Sequence, residues 1–112
     1  MTNDELKRVC SFRSKSRIPA IVYVHPVTRA LMSRSAQPLV GLGKNRCSED
    51  EKLLGRIMNL TSTTRFYIMD ARKKAAATGN KFMGKGTEDV KNYSCASMLH
   101  MDIENIHSVR ER

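Results

Sequence analysis

A chain of 112 residues, 40% apolar with only six Gly and three Pro, has the length for one domain and enough apolar surface to exclude wholesale disorder. No apolar run approaches the roughly 20 residues that cross a bilayer, and polar Met1 to Arg8 lacks the apolar stretch of a secretory signal. Twenty Lys plus Arg against eleven Asp plus Glu leave a net charge of +9, while three scattered cysteines (Cys10, Cys47, Cys95) form no disulfide framework and fit a reducing, intracellular setting.

In chain order, Asp4 to Phe12 reads as a short helix or ordered arm leading into the basic stretch Arg13-Ser14-Lys15-Ser16-Arg17. Ile18 to Val24 is β-branched and apolar, with Pro19 near its start, where a strand tolerates a missing N–H. His25-Pro26 breaks it, and Thr28 to Arg34 returns as the second strand of a hairpin, with His25 shaping the turn. Gln37-Pro38 and Gly41 to Asn45 read as loop. The clearest element starts at Ser48, an N-cap candidate whose partner Glu51 completes a capping box. Leu53, Leu54, Ile57 and Met58 then share one face, so an amphipathic helix is expected over 49–60. Arg65 to Asp70 has the composition of a buried, mid-sheet strand. Residues 71–94, rich in Lys, Ala and Gly, read as a functional loop with one helical turn. Met98 to Ile103 reads as a last strand, and Asn105 onward as the entry to a helix. Hairpin, helix, strand, long loop and strand predict an α/β arrangement.

Charge is distributed in blocks. Residues 1–46 carry nine bases and two acids, and residues 72–91 six bases and two acids, around a near-neutral segment. Two basic blocks point to a polyanionic partner such as lipid headgroups or phosphorylated substrates. Six Phe and Tyr, mostly inside apolar runs, are too few for base stacking, so a nucleic acid is not the expected partner.

Gly79-Asn80-Lys81-Phe82-Met83-Gly84-Lys85-Gly86-Thr87 has the spacing of a phosphate-binding P-loop. The required context is a strand running into the first glycine and a helix after the last, yet the expected strand ends at Asp70, nine residues early. A glycine-rich basic loop beside an anionic ligand is the reading that survives. The three His and three Cys include no closely spaced pair, so neither a metal nor a cofactor is expected. Cysteine phosphatases need a Cys and an Arg with five residues between them, and Cys10, Cys47 and Cys95 place Ser16, Leu53 and Met101 at that position. No catalytic residue is therefore assigned within the chain.

The order of segments resembles the phosphatase domain of the myotubularin family. Lys7-Arg8-Val9-Cys10-Ser11-Phe12-Arg13-Ser14, Arg17-Ile18-Pro19-Ala20 and His25-Pro26 are similar to its start. Arg34-Ser35-Ala36-Gln37-Pro38-Leu39-Val40-Gly41 is similar to its Arg-x-Ser-Gln-Pro-Leu segment, with Ala36 where Ser is usual. Ser48-Glu49-Asp50-Glu51-Lys52 resembles its acidic helix start, Asp70-Ala71-Arg72 its strand-ending motif, and Asn80-Lys81 through Gly86 its glycine-rich Asn-Lys loop, with Gly79 for a common Ala. Ile103-Glu104-Asn105-Ile106-His107-Ser108-Val109-Arg110 resembles its Asn-Ile-His signature, with Val109 for Met.

The resemblance implies a partial cysteine-phosphatase-like α/β domain over residues 1–112, with a β-hairpin, one amphipathic helix and further sheet strands. It implies a parent that removes the 3-phosphate from phosphatidylinositol 3-phosphate and the 3,5-bisphosphate at endosomal membranes, as a cytoplasmic, peripheral protein. Asn80 and Asn105 map onto headgroup-binding asparagines, and Lys81 and Lys85 are expected to add attraction to an anionic membrane. The family's nucleophile lies in a Cys-Ser-Asp-Gly-Trp-Asp-Arg loop downstream of the Asn-Ile-His segment and is not in these residues. Its preceding lipid-binding domain is not there either, so the chain is expected to be a fragment, inactive alone and marginally stable, with bare strand edges and exposed apolar faces. Two other readings stand beside this one: an adaptor that pairs with an active homologue, and a basic nucleotide- or RNA-binding domain dependent on Lys85.

Overall fold

The computed structural model describes residues 1–61, 65–104 and 110. The first helix, α1, spans Asn3–Phe12. The Thr2 hydroxyl accepts from the Glu5 amide at 3.2 Å, and Asp4 and Glu5 complement the positive end of the helix. Val9 and Phe12 form its buried stripe. After a 3₁₀ turn at Ser14–Ser16, β1 (Ala20–Val24) and β2 (Leu31–Arg34) form the expected antiparallel hairpin. The turn takes its shape from His25, whose Nδ1 accepts from the amides of Val27 and Thr28, each at 3.2 Å.

The second helix, α2, runs Ser48–Met58, but the capping box does not form. The helix begins one residue earlier than expected, so Cys47 is its N-cap and provides no side-chain bond. The Ser48 hydroxyl turns to Glu49 (2.9 Å), while Arg46 captures Glu51 through two bonds of 3.0 and 2.7 Å. A charge-assisted fork outcompetes a neutral cap for the same carboxylate. Leu53, Leu54, Ile57 and Met58 are half-buried, as their spacing predicts, and the residue of α2 that is fully buried is Asp50. Ion pairs of Lys52 with Glu5 (2.8 Å) and Arg8 with Glu49 (3.8 Å) link α1 to α2 at the surface.

Residues 71–94 differ most from expectation. The strand β3 (Phe66–Arg72) passes through Lys73 directly into a third helix, α3 (Lys74–Lys81). Ala75-Ala76-Ala77 is a strong helix-forming run, and two turns form despite Gly79. A 3₁₀ turn at Val90–Asn92 leads to β4 (Ala96–Ile103), which pairs parallel to β3 from Phe66↔Ala96 to Arg72↔Ile103. The unit is therefore a βαβ crossover. Nor is β3 a buried, mid-sheet strand: Tyr67 and Met69 are exposed, and among the described residues β3 pairs with β4 alone. Its apolar composition remains, but among the described residues no layer covers Tyr67 and Met69.

The fold is thus mixed α/β, with three helices and two two-stranded sheets among the described residues. Its core is small. Val9, Phe12, Val40, Ala77 and Tyr93 are buried, in company with Arg13, Asp50 and Asp70. Large apolar residues of β1 and β4, including Val22, Tyr23, Leu99 and Ile103, remain exposed.

Candidate functional site

Two arginines organise the space between the hairpin and β3. Arg13, at the end of α1, is 1% exposed. Its Nε and Nη2 donate to the two Asp50 carboxylate oxygens at 2.8 and 2.6 Å. Its Nη1 donates to Glu88 Oε1 at 2.6 Å and to the Ala36 carbonyl at 3.0 Å. Tyr93 Oη completes the cluster, donating to Asp50 at 2.5 Å. Burial alone would lower the Arg13 pKa, but the bonds and charges of Asp50 and Glu88 outweigh it and raise the value above normal. Burial, then the neighbouring Asp50 carboxylate, pushes the Tyr93 phenol well above its ordinary range. Arg13 is therefore a permanently charged and fully paired tether joining α1, α2 and the 85–93 segment.

Arg72 is the second tether. Its guanidinium grips Asp70 at 2.9 and 2.7 Å, reaches Gln37 Oε1 at 2.7 Å, and holds the Gly86 carbonyl at 2.8 Å. Asp70 is 8% exposed. Burial would raise its pKa, but hydrogen bonds and charge from Arg72 prevail and hold it below the usual carboxylate range. A depressed folded-state pKa gives stability that is fully present above the unfolded value of about 4 and is lost as pH falls through the folded one. Asp70→Asn is expected to flatten the pH dependence of the urea midpoint in that acid window. An unchanged slope would show that Asp70 and Arg72 are not paired in solution.

Between the tethers lies a cavity of about 690 Å³. Lys15 and Arg17 from the first turn, Arg34 from β2, and Lys85 from the glycine-rich loop line it. Unlike Arg13 and Arg72, these four side chains make no ion pair or hydrogen bond among the described residues. The turn that presents Lys15 and Arg17 is strained, with consecutive left-handed residues at Lys15 (φ 55°) and Ser16 (φ 57°). Such geometry costs about 1–2 kcal/mol per non-glycine residue. Bonds from Ser14 N–H to the Gln37 carbonyl and from Ala36 N–H to the Arg17 carbonyl, both 3.0 Å, hold it in place. The result is a concave surface with four cations that no carboxylate pairs among the described residues, an arrangement suited to a phosphorylated ligand.

Of the site residues expected from the sequence (Asn80, Lys81, Lys85 and Asn105), Lys85 alone lines this cavity among the described residues. Asn80 and Lys81 form the last turn of α3, half-buried and outside the cavity wall. The Asn80 carbonyl accepts from the Lys85 amide at 2.9 Å, so these three residues share one loop. Asn105 and His107 lie outside the described residues, as does the start of the expected helix over 105–109. Because β3 and β4 are parallel, their carboxyl ends lie side by side at one end of the sheet, the usual ligand side of α/β folds. The P-loop comparison fails on geometry: Gly79 sits inside α3, so a helix precedes the loop where a strand is required. Lys15, Arg17 and Arg34 were not distinguishable beforehand, because composition weighs them equally with the neutralised Arg13.

The backbone of the Asn-Lys loop is locked against the Val40–Gly41 turn. The Gly41 amide donates to the Lys85 carbonyl at 3.1 Å, and a Cβ at Gly41 (φ 63°) would stand 3.3 Å from the Gly84 Cα. Bonds of these tethers therefore join motifs that are separate in the sequence: 13 with 50, 37 with 72, 72 with 86, and 41 with 85.

A model of the myotubularin-like phosphatase domain matches residues 1–112. The chain is 43% identical over 110 residues to the phosphatidylinositol-3,5-bisphosphate 3-phosphatase MTMR2 of Gallus gallus, covering 97% of this chain and 19% of that protein. It is 41% identical over 111 residues to myotubularin of Rattus norvegicus (98% and 18%), and 43% over 102 residues to the 3-phosphatase MTMR6 of Caenorhabditis elegans (90% and 15%). The chain thus spans less than one fifth of the length of these relatives. Matched by the family model along its whole length, and with that family's motifs tied together by Arg13 and Arg72, the chain belongs to the myotubularin-like phosphatase family.

Proposed function

We propose that this chain supplies part of the substrate-facing wall of a myotubularin-type phosphatase domain, whose complete protein removes the 3-phosphate from phosphatidylinositol 3-phosphate and the 3,5-bisphosphate. The observation that carries this reading is the set of four cations, Lys15, Arg17, Arg34 and Lys85, around one cavity, which have no partner among the described residues. Arg13 and Arg72 in the same region are neutralised by carboxylates, whereas these four converge on one cavity with charge left to offer a phosphate. Asn80 and Asn105 add amide donors and acceptors for inositol hydroxyls and phosphate oxygens, and Lys81 adds charge. None of the three cysteines has an arginine at the spacing a phosphocysteine mechanism needs, so these residues bind and orient but do not attack phosphorus. The working location is the cytoplasmic surface of endosomal membranes.

Titration of soluble inositol 1,3-bisphosphate into the chain tests the reading. Replacing both arginines (Arg17→Gln with Arg34→Gln) is expected to weaken binding more than about tenfold, since each removes a charge-assisted bond to phosphate. The pair Arg56→Gln with Lys91→Gln removes the same charge elsewhere and is expected to leave affinity nearly unchanged. Equal losses in both pairs would reduce the cavity to a non-specific basic surface. Release of phosphate from phosphatidylinositol 3-phosphate by the purified chain would overturn its assignment as non-catalytic.

A second reading, an adaptor that pairs with an active homologue, draws on the apolar face of β3 and β4, where Tyr67, Met69, Leu99 and Met101 are exposed. Co-purification with a co-expressed homologue would support it, and a monodisperse chain that ignores the homologue would dismiss it.

A further inference from the structure

The Asn-Lys loop carries two large apolar residues that no packing explains. Phe82 is 72% exposed and Met83 73%, in a turn flanked by Lys81 and Lys85. The neighbouring Gly41–Lys44 turn presents Leu42, 64% exposed, followed by Lys44. The two turns are joined by the Gly41–Lys85 bond and by close approach of Gly41 to Gly84, which sets them side by side. The geometry points to Leu42, Phe82 and Met83 as a membrane-inserting wedge, which sinks into the headgroup–acyl boundary of an anionic bilayer while the adjoining lysines engage its phosphates.

Three features separate this patch from the other exposed apolar surface. The apolar residues alternate with bases, the pattern of interfacial segments, in which lysine stems lie along the apolar layer and ammonium groups reach the headgroups. The strand faces lack that interleaving: β1 carries no charged residue, and the charge next to Tyr67 and Met69 within β3 is an acid, Asp70. In addition, the turn enters an apolar phase with its amides already satisfied. The N–H groups of Phe82, Met83, Gly84 and Lys85 donate to the carbonyls of Gly79, Asn80, Lys81 and Asn80, at 2.9 to 3.2 Å. Unsatisfied amides are what usually keep loops out of lipid. Finally, the chain's +9 charge opposes an anionic surface, so approach and insertion act in the same direction.

This inference rests on the phosphoinositide reading only for the identity of the specific lipid; insertion itself requires any anionic bilayer. The test uses vesicles of phosphatidylcholine with phosphatidylserine, with and without phosphatidylinositol 3-phosphate, and soluble inositol 1,3-bisphosphate as the bilayer-free arm. Phe82→Ser with Met83→Ser is expected to weaken vesicle binding about ten- to hundredfold and to leave soluble headgroup binding unchanged. Val27→Ser with Met32→Ser, which removes exposed apolar surface from the hairpin, is expected to bind vesicles like the unmodified chain. An equal loss in both pairs, or a loss confined to the soluble headgroup, would overturn the wedge. Vesicle binding that depends on Phe82 in the absence of any headgroup binding would uphold the wedge and sink the headgroup reading.

A direct probe does not depend on comparing variants. The chain contains no Trp, so Phe82→Trp places a single reporter at the tip. Its emission is expected to shift to the blue on vesicles and to be quenched by lipids brominated along the acyl chain. Emission that stays at its aqueous position while the protein sediments with the vesicles, or failure of the chain to sediment with anionic vesicles at all, would refute insertion.

Discussion

Arg13→Met is expected to lower stability by about 3–5 kcal/mol, most of the stability of an ordinary small domain. The substitution keeps much of the side chain's volume, so the loss is electrostatic. The Asp50 side chain is fully buried and that of Glu88 10% exposed, and both would be left without their cation. Coulomb attraction in the intact cluster largely offsets the desolvation of these groups, so the pair itself adds little net stability. What is large is the penalty for leaving half of it behind. Urea unfolding followed by circular dichroism measures this directly, and the expected outcome is a midpoint shifted nearly to zero denaturant. Removing the charge of Asp50 as well (Arg13→Met with Asp50→Leu) is expected to recover part of the loss. An Arg13→Met protein with an unchanged midpoint would mean that the cluster is solvated in solution.

The second large effect belongs to Gly86. Its φ of +143° falls in a region open essentially to glycine alone, and an added Cβ would stand 2.9 Å from Val40 Cγ2 and 3.0 Å from Lys81 Cγ. The lysine stem can move. Val40 is buried and cannot move without disturbing the core. Backbone strain and overpacking together make Gly86→Ala destabilising by about 2–4 kcal/mol. Because the Gly86 carbonyl is a ligand of Arg72, displacement of the loop also shifts Lys85 away from the cavity, and headgroup affinity should fall with stability. Gly79→Ala, seven residues earlier, has the opposite sign. Gly79 lies in α3 with nothing within 4 Å of an added Cβ, so the change should stabilise by about 0.5–1 kcal/mol through helix propensity. Thermal denaturation of the two variants side by side separates these outcomes, and equal shifts would contradict the loop geometry.

The hairpin and α2 were legible in the sequence because their signals are local: a β-branched run broken at His25-Pro26, and four apolar residues at helical spacing. The start of α2 was misplaced by one residue because Arg46 competes for Glu51, an interaction that no capping motif encodes. The crossover helix reads as loop because its three alanines stand among glycines and lysines, and the helix forms despite Gly79. Site residues divided along similar lines. The Asn-Lys loop was found through family resemblance, whereas Arg17 and Arg34 stand out only once Arg13 and Arg72 are seen to be neutralised. Whether a cation is free depends on contacts such as Arg13 with Glu88, 75 residues apart, and no local pattern carries that information.

The buried cluster also constrains the order in which the chain can fold as it is made. Its members lie at positions 13, 36, 50, 88 and 93, and Arg13 meets its last carboxylate only when Glu88 has been synthesised. The hairpin, whose pairing spans residues 20–34, needs nothing downstream and can form on a nascent chain. The union of α1 with α2 through Asp50 comes later. It is incomplete until Tyr93 emerges, because until then Asp50 lacks its second donor. Consolidation of this region therefore follows the hairpin, and the nascent chain keeps Arg13 and Asp50 in water until the 88–93 segment emerges.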